Sequence, residues 1–422
     1  MKSFSIRITL PVLLLGTVLT AFALQKHSPN RHSSQHTSPI DVEPASNQIA
    51  TKLFIRVNLT PQPVKKIGCR IGQPFKIVAL EGKRILAMYS KSVKTEIVPT
   101  KNGVRIAGKV FTGSQFEIVP QKSPSIEIAG TLYRGRMRLY RRGNSRFIVV
   151  NVLPLEDYLA SVLNGEMPAA FPVEARKAQL IAARTYALYQ MLNPPAASRY
   201  DLFASSLSQK YLGFRYKSKN GKLLAGETKT SRNLVHETAG MICILNGQIF
   251  CSYYSAVCGG KTVAGIHVFE SGAPLRSVKC PWCQPAKKYR WKTSISFLEL
   301  RQAMAKGFPK IQKRFPRITS VSMLAHSQNP DKQTIAIQNG RFLKRISPMQ
   351  FRKMFPAKIF SMRFSISNGQ GGIRVAGMGH GHGVGMCQWG ARGMALAGAT
   401  YEKILKHYYP GAKIVSLESI IK

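Results

Sequence analysis

The sequence predicts an α+β fold in which strands and helices are segregated along the chain. Residues 53–152 form short segments rich in branched and aromatic residues, interrupted by Gly, Pro and Asn. From Pro154 to Leu192 the apolar residues instead recur with helical spacing. The chain has 422 residues, of which 44% are hydrophobic, so it can bury a large core. This composition excludes a wholly disordered basic protein.

The amino-terminal segment has the features of an export signal. A short basic start precedes an uncharged apolar run from Ile8 to Leu24, and Ala21-Phe22-Ala23 has the form of a signal-peptidase site. Because the run is slightly short for a transmembrane helix, residues 1–24 are either a cleaved signal peptide or an uncleaved membrane anchor. Both alternatives place the rest of the chain outside the cytoplasm, in the periplasm or cell envelope.

Three further regions follow from composition and pattern. Residues 25–51 are rich in Ser, His, Pro and Asn without apolar periodicity, which predicts a disordered linker. Residues 52–130 are predicted to form a β-rich module with a scaffold or docking role. Residues 131–422 are assigned to a main domain, whose extent and groove between a helical pair and strands are implied by the family resemblance of the motifs described below.

The charge balance predicts a polyanionic partner. The chain has 62 Lys and Arg against 18 Asp and Glu, a formal net charge of +44. An exported protein of this charge is expected to meet an acidic polysaccharide or anionic lipid. We expect no nucleic-acid partner, because the sequence has no zinc-finger spacing, aromatic-basic RNA signature or basic zipper.

The first predicted helix ends at a carboxylate. Five apolar residues recur at i, i+3, i+4, i+7 and i+8: Leu155, Tyr158, Leu159, Val162 and Leu163. Gly165 and Pro168 end this helix, so Glu166 lies in its last turn. The helix carbonyls and partial burial would raise the pKa of Glu166, as a general acid requires. The alternative is a solvent-facing glutamate that merely ends a helix.

Two separated motifs carry a family resemblance. The stretch LEDYLASVLNGEMPAAFPVEARKAQLIAARTYAL begins at Leu155, and GHGVGMCQWGARGMALAGATYEKILKHYYPG ends at Gly411. In that order they closely resemble the SpoIID/LytB family of sporulation lytic transglycosylases and amidase enhancers. The stretch YYSAVCGGKT at 253–262 also matches a motif of the family. Cys387 stands where the family usually has Ser, and His380 replaces a more common aromatic residue.

The resemblance implies a reaction and a catalytic residue. Members cleave peptidoglycan between N-acetylmuramic acid and N-acetylglucosamine without water and without a cofactor. Glu166 matches the catalytic glutamate of the family's Glu-Met-Pro motif. It would protonate the glycosidic oxygen and then, as a base, activate the sugar's own 6-hydroxyl to close a 1,6-anhydro ring. The resemblance also suggests six groove residues: Arg184, Tyr254, Ser255, Thr262, His382 and Gln388.

The supply of carboxylates is consistent with that reaction. Ordinary glycosidases use two carboxylates ~5–9.5 Å apart. The matched motifs contain five: Glu156, Asp157, Glu166, Glu174 and Glu402. First-turn positions in helices explain the first two and Glu174, and Glu402 has no special context. One well-placed acid remains, which is what an intramolecular nucleophile needs.

The cysteines and histidines suggest possible metal ligands. Seven cysteines are present, and Cys251, Cys258, Cys280 and Cys283 have a spacing that fits a structural zinc site, two disulfides or free thiols. His380 and His382 would share a face of an extended segment, but no third ligand is evident nearby.

We therefore expect an exported or anchored lytic transglycosylase that acts on peptide-stripped glycan strands. The alternative is a non-catalytic glycan-binding protein that recruits or stimulates an N-acetylmuramoyl-L-alanine amidase. Retention of Glu166 favours the enzyme, and general adhesion to anionic lipid is the simplest other use of the charge. The process served, sporulation, division or wall remodelling, does not follow from the sequence.

Overall fold

The computed structural model describes residues 53–195, 198–269, 274–309, 315–326 and 329–420. The predicted signal or anchor at 1–24 and the linker at 25–51 lie outside these ranges. No helix within them is both long and apolar enough to cross a membrane.

The strands are numbered β1 to β26 in chain order. They are β1 Phe54–Asn58, β2 Ile67–Ile71, β3 Phe75–Ala79, β4 Ile85–Tyr89, β5 Val93–Thr100, β6 Gly103–Ile106, β7 Lys109–Thr112, β8 Gln115–Pro120, β9 Ile126–Ile128, β10 Thr131–Tyr133, β11 Arg136–Arg142, β12 Arg146–Pro154 and β13 Leu202–Phe203. The later strands are β14 Arg215–Lys217, β15 Leu223–Ala225, β16 Met241–Leu245, β17 Gln248–Ile249, β18 Tyr254–Ser255, β19 Arg290–Ser296, β20 Ser320–His326, β21 Asn329–Asn339, β22 Phe342–Ile346, β23 Phe364–Gly369, β24 Gly372–Met378, β25 Met386–Cys387 and β26 Lys413–Ser416.

Seven α-helices lie in the described ranges. They are α1 Leu155–Glu166, α2 Val173–Leu192, α3 Lys229–Glu237, α4 Phe297–Gly307, α5 Pro348–Met354, α6 Gln388–Leu396 and α7 Tyr401–Tyr408. The predicted α+β class is confirmed, and the amino-terminal part of the described chain is strand-rich as expected.

Two large sheets share one core. Their strand orders are β13-β1-β12-β11-β8-β3-β4 and β15-β14-β10-β9-β2-β5-β6-β7. Ile55 and Phe116 from the first sheet and Ile71 from the second are fully buried in the same cluster. β12 is apolar on both faces because both are covered, with Val149 in the large core and Val150 in a smaller one.

The predicted division of the chain at residue 130 has no counterpart in the sheets. Gly130 lies in the turn between β9 and β10, which pair with each other, and β8 pairs with β11. Strands from both sides of residue 130 therefore share hydrogen bonds, and the division into 52–130 and 131–422 stays a prediction.

The predicted helical pair is present as α1 and α2. All five apolar residues that predicted α1 are buried, and Pro154 and Pro172 immediately precede the two helices. α2 is buried along most of its length, and its small residues Ala175, Ala178 and Ala182 are fully buried. The pair thus lies inside the large core, with the carboxyl end of α1 directed to a loop at 209–212.

Residues 291–375 build a second core. The sheet β19-β24-β23, the sheet β20-β21-β22 and the helices α4 and α5 surround it. Both helices begin with capping boxes, at Ser296 with Glu299 and at Ser347 with Gln350. This smaller unit carries none of the matched motifs, which all belong to elements of the first core.

Candidate functional site

Glu166 is the last residue of α1 and is half-buried. Its Oε1 accepts the backbone N–H of Lys210 at 2.5 Å. The preceding residue permits this contact, because a Cβ on Gly165 would lie 2.0 Å from the carbonyl oxygen of Lys210. The Asn-Gly-Glu sequence therefore lets the loop at 209–212 close over the end of the helix.

Burial raises the pKa of Glu166 above that of an ordinary glutamate. The Lys210 backbone N–H, the charge of Lys210 and a hydrogen bond from Gln388 lower it, but burial outweighs them. No ion pair among the described residues involves Glu166. The protonated form is thus more populated near neutrality than in an exposed glutamate, which suits a general acid.

A chain of neutral hydrogen bonds lies beside Glu166. The hydroxyl of Tyr158 donates to Oε1 of Gln209 at 3.0 Å, and Nε2 of Gln209 donates to the hydroxyl of Tyr254 at 3.0 Å. Burial, and then the charge of Glu166, hold the pKa of both Tyr158 and Tyr254 well above the usual range. Both phenols therefore stay neutral; Tyr158 is fully buried, whereas Tyr254 is only half-buried.

Gln388 holds the end of α1 from the opposite side. It is the first residue of α6 and is buried. Its Nε2 donates to the backbone carbonyl of Glu166 at 3.1 Å and to Oε1 of Gln179 at 3.2 Å. The amide thus connects the two motifs that are distant in sequence and positions Glu166 through its backbone.

Ser255 belongs to a short parallel sheet, and His382 lies near it. β18, Tyr254–Ser255, pairs with β25, Met386–Cys387. The Ser255 hydroxyl is buried and has no hydrogen-bond partner among the described residues. Nδ1 of His382 accepts the N–H of Val384 at 3.1 Å, and burial together with the charge of Arg352 lowers the pKa of His382 to about 4. His382 is therefore neutral at physiological pH.

Arg184 and Thr262, two of the six residues that the family resemblance suggests, have polar groups that bind other parts of the fold. Arg184 is fully buried and donates to both carboxylate oxygens of Glu156, at 2.8 and 2.7 Å, and to the Met241 carbonyl at 3.0 Å. It ties α1 to α2. Thr262 is also buried, and its hydroxyl accepts the N–H of Val278 at 2.8 Å, which fixes a loop.

The other carboxylates of the motifs have neighbours that explain them. Besides Glu156, which pairs with Arg184, Asp157 lies 3.4 Å from Arg232, and Glu174 accepts the N–H of Tyr401 at the start of α7. Glu402 is half-exposed and has a lowered pKa. Glu166, whose pKa is raised by burial, forms no ion pair in the described ranges.

Four cysteines converge, but not the four that spacing predicted. The sulfur atoms of Cys258, Cys280, Cys283 and Cys387 all lie within 4.8 Å of one another, and all four residues are buried. Cys387 takes the place of Cys251, whose sulfur instead contacts Nε2 of Gln190 at 3.7 Å. The reason is the pairing of β18 with β25, which brings Cys387 beside Cys258 from far downstream.

The cysteines form no disulfide, and all seven are described. His380 is exposed, and neither His380 nor His382 belongs to a group of three or more ligand-type side chains in the described part of the chain. The convergence of Cys387 could have been anticipated only from its place in Gly-Met-Cys-Gln, where the family usually has serine.

Comparison with known proteins gives the family. A SpoIID family model, described as stage II sporulation protein, matches residues 143–244. An uncharacterised protein of Brachyspira hyodysenteriae is 33% identical over 379 residues, which cover 88% of this chain and 96% of that protein. Stage II sporulation protein D of Bacillus subtilis is 29% identical over 288 residues, covering 67% of this chain and 80% of that protein. The amidase enhancer of the same organism is 26% identical over 302 residues, covering 61% of this chain and 40% of that protein. The chain belongs to the SpoIID/LytB family.

Proposed function

We propose that this protein is a peptidoglycan lytic transglycosylase of the cell envelope. Family membership supports a peptidoglycan-related role outside the cytoplasm. The observation that supports transglycosylase activity in particular is the environment of Glu166. This residue is a half-buried carboxyl group with a raised pKa and no ion-pair partner in the described ranges. Such a group can deliver a proton to a glycosidic oxygen and take one back.

The proposed reaction uses Glu166 twice. The protonated carboxyl group gives its proton to the oxygen that joins N-acetylmuramic acid to N-acetylglucosamine, as the bond from that oxygen to C1 breaks. The 6-hydroxyl of the muramic acid residue then bonds to C1, and its proton passes to the Glu166 carboxylate. The acid is restored, no water is consumed, and the products are a 1,6-anhydro end and a free 4-hydroxyl.

Neutral groups near Glu166 suit an uncharged sugar backbone. Tyr254 and His382 stay neutral, and the Ser255 hydroxyl is buried without a partner in the described structure. We assign these three residues to substrate contact, and Gln388 to positioning of Glu166. Arg184 and Thr262 have structural roles in this proposal, because their polar groups bind other parts of the fold.

A cationic cavity of about 1210 Å³ supports an anionic polymer as the ligand. It lies next to the Gly-Gly-Lys-Thr segment of the motif that contains Tyr254 and Ser255. Among the described residues that line it there is no Asp or Glu, and five are cations: Lys261, Arg290, Lys292, Arg345 and Arg363. Glycan strands stripped of their stem peptides keep the lactyl carboxylates of muramic acid, which these cations would attract.

The test is product analysis with matched variants. The purified full-length chain, Glu166→Gln and Glu402→Gln are each incubated with peptide-stripped glycan strands, and the products are identified by mass spectrometry. We expect 1,6-anhydro-muramic ends from wild type and Glu402→Gln, and a loss of roughly 10²-fold or more in rate for Glu166→Gln. Products with ordinary reducing ends would contradict the proposal.

The match to an amidase enhancer favours a second candidate function. In this alternative the chain binds glycan strands and recruits or stimulates an N-acetylmuramoyl-L-alanine amidase. It predicts salt-sensitive retention of glycan by wild type and Glu166→Gln alike, with no cleavage by either. Stimulation of a purified amidase by both forms would then assign the protein to the enhancer class.

A further inference from the structure

The four converging thiols have the dimensions of a site for one metal ion. The sulfur atoms of Cys258 and Cys283 are 3.7 Å apart, and the whole group fits within 4.8 Å. A tetrahedron with zinc–sulfur bonds of ~2.3 Å has edges of ~3.8 Å. A disulfide would need a separation of ~2.05 Å. The arrangement therefore leaves space for an ion at the centre.

The fold builds this cluster from three separate segments. Cys258 follows β18, Cys280 and Cys283 flank one short turn in Cys-Pro-Trp-Cys, and Cys387 ends β25. The backbone is closely packed around the sulfurs, because a Cβ on Gly390 would lie 2.5 Å from Sγ of Cys280. This packing and the burial of all four cysteines restrict the directions that the thiols can take.

Hydrogen-bond donors surround the sulfurs. The N–H groups of Cys258 and Gly390 donate to Sγ of Cys387 at 3.2 and 3.3 Å, and the hydroxyl of Tyr408 lies 3.1 Å from Sγ of Cys280. Cys387 also caps the amino terminus of α6. Donors to ligand sulfur and the positive end of a helix offset the negative charge that four metal-bound thiolates carry.

We propose that Cys258, Cys280, Cys283 and Cys387 bind one structural zinc ion that fixes the amino terminus of α6 beside Glu166. Four sulfur donors in a compact, closed set exclude the oxygen-preferring ions and fit zinc in a structural, not a catalytic, role. The ion holds Cys387, and the next residue, Gln388, donates to the Glu166 carbonyl. The same ion holds the strand pair that carries Tyr254 and Ser255.

The test measures metal directly, so it does not depend on glycan cleavage. The full-length chain is purified without added metal, and zinc and iron are determined by mass spectrometry for wild type, Cys283→Ser and Cys251→Ser. Cys251 is a buried cysteine outside the cluster and serves as the matched control. We expect about one zinc per chain in wild type and Cys251→Ser, and a several-fold lower content in Cys283→Ser.

Two further measurements keep the proposal testable if Cys283→Ser does not fold. Cys283→His keeps a zinc ligand and is expected to restore about one zinc per chain. Cobalt exchanged into wild type should give the charge-transfer and intense visible bands of a tetrahedral thiolate site. In wild type, the four cluster thiols should become open to alkylation when a chelator removes the ion.

Several results would overturn the zinc assignment. They are wild type that stays free of zinc after loading, disulfides among the four cysteines, equal zinc in a folded Cys283→Ser, and stoichiometric iron. The consequence for Glu166 rests on the proposed function, whereas the zinc content does not. If wild type binds zinc but does not cleave glycan, the zinc site is supported and the transglycosylase proposal is contradicted. If wild type cleaves glycan but binds no zinc, the transglycosylase is supported and the zinc site is contradicted.

Discussion

Glu166 differs from the other carboxylates of its motifs in its surroundings. Glu156 and Asp157 lie near arginines, and Glu174 caps a helix, whereas the contacts of Glu166 are backbone and amide groups. Burial raises its pKa because the charged form loses hydration that the Lys210 N–H, the charge of Lys210 and the Gln388 amide replace only in part. The same burial should make ionised Glu166 a cost to the folded state.

This cost gives a pH-dependent stability with a defined sign. A carboxyl group whose pKa is raised on folding stabilises the folded state at pH values below its pKa in the unfolded chain. This stabilisation is lost as the pH rises through its pKa in the folded chain. The melting temperature of Glu166→Gln, minus that of wild type, should therefore increase as pH is raised from about 4 to 7. Thermal denaturation at several pH values measures it.

Glu402 provides a control of opposite sign, because its pKa is lowered in the folded chain. Its carboxylate adds stability above the unfolded pKa, so Glu402→Gln should lose stability relative to wild type over the same rise in pH. A difference for Glu166→Gln that does not change with pH would show that Glu166 is not perturbed.

At the scale of elements, the site depends on how α1 is held at both ends. Near its start, Arg184 of α2 binds Glu156, and at its end Gln388 of α6 binds the Glu166 carbonyl. Arg184 is fully buried, so its removal leaves a carboxylate of low exposure without its partner. Such losses cost more than the pair contributes, because the remaining charge has lost its hydration.

We expect Arg184→Met to lower the free energy of unfolding by about 3 kcal/mol. Arg105→Met, at an exposed position of β6, should change it by no more than about 0.5 kcal/mol. Urea denaturation of the three proteins measures both changes. Unchanged stability of Arg184→Met together with weaker glycan binding would instead support the substrate-contact role that the family resemblance suggests.

At the scale of the whole molecule, the net charge of +44 attracts an anionic polymer, and we expect the cationic cavity to be where the glycan binds. Lys292 and Arg345 are exposed and contribute to its lining. If the cavity attracts lactyl carboxylates, affinity should fall with ionic strength, because salt screens exposed charges over a Debye length of ~10 Å at 0.1 M.

The double variant Lys292→Glu with Arg345→Glu should bind peptide-stripped glycan roughly tenfold more weakly, since each exposed pair contributes up to about 1 kcal/mol. Lys94→Glu with Lys109→Glu makes the same change in net charge in β5 and β7 and should have a smaller effect. Binding isotherms at two salt concentrations compare them. Equal losses in both variants would mean that net charge alone, and not this cavity, attracts the glycan.

Local patterns predicted the helices and the candidate acid, whereas contacts between distant segments were not predictable. The spacing of Leu155, Leu159 and Val162 defined α1, and the end of that helix gave Glu166 its position. The cluster thiol of Cys387 was missed because only the parallel pairing of β18 with β25 brings it to Cys258. The ion pair of Arg184 with Glu156 depends in the same way on contacts between segments, since the packing of α2 against α1 sets it.

The most direct test of the account is the origin of the oxygen at the cleaved end. Glycan strands are digested by wild type in water enriched in oxygen-18, and the new muramic ends are weighed. We expect anhydro ends without heavy oxygen, because the sugar's own 6-hydroxyl oxygen, and not a water oxygen, bonds to C1 when the glycosidic bond breaks. One heavy oxygen per new end would show that water is the nucleophile and would contradict the account.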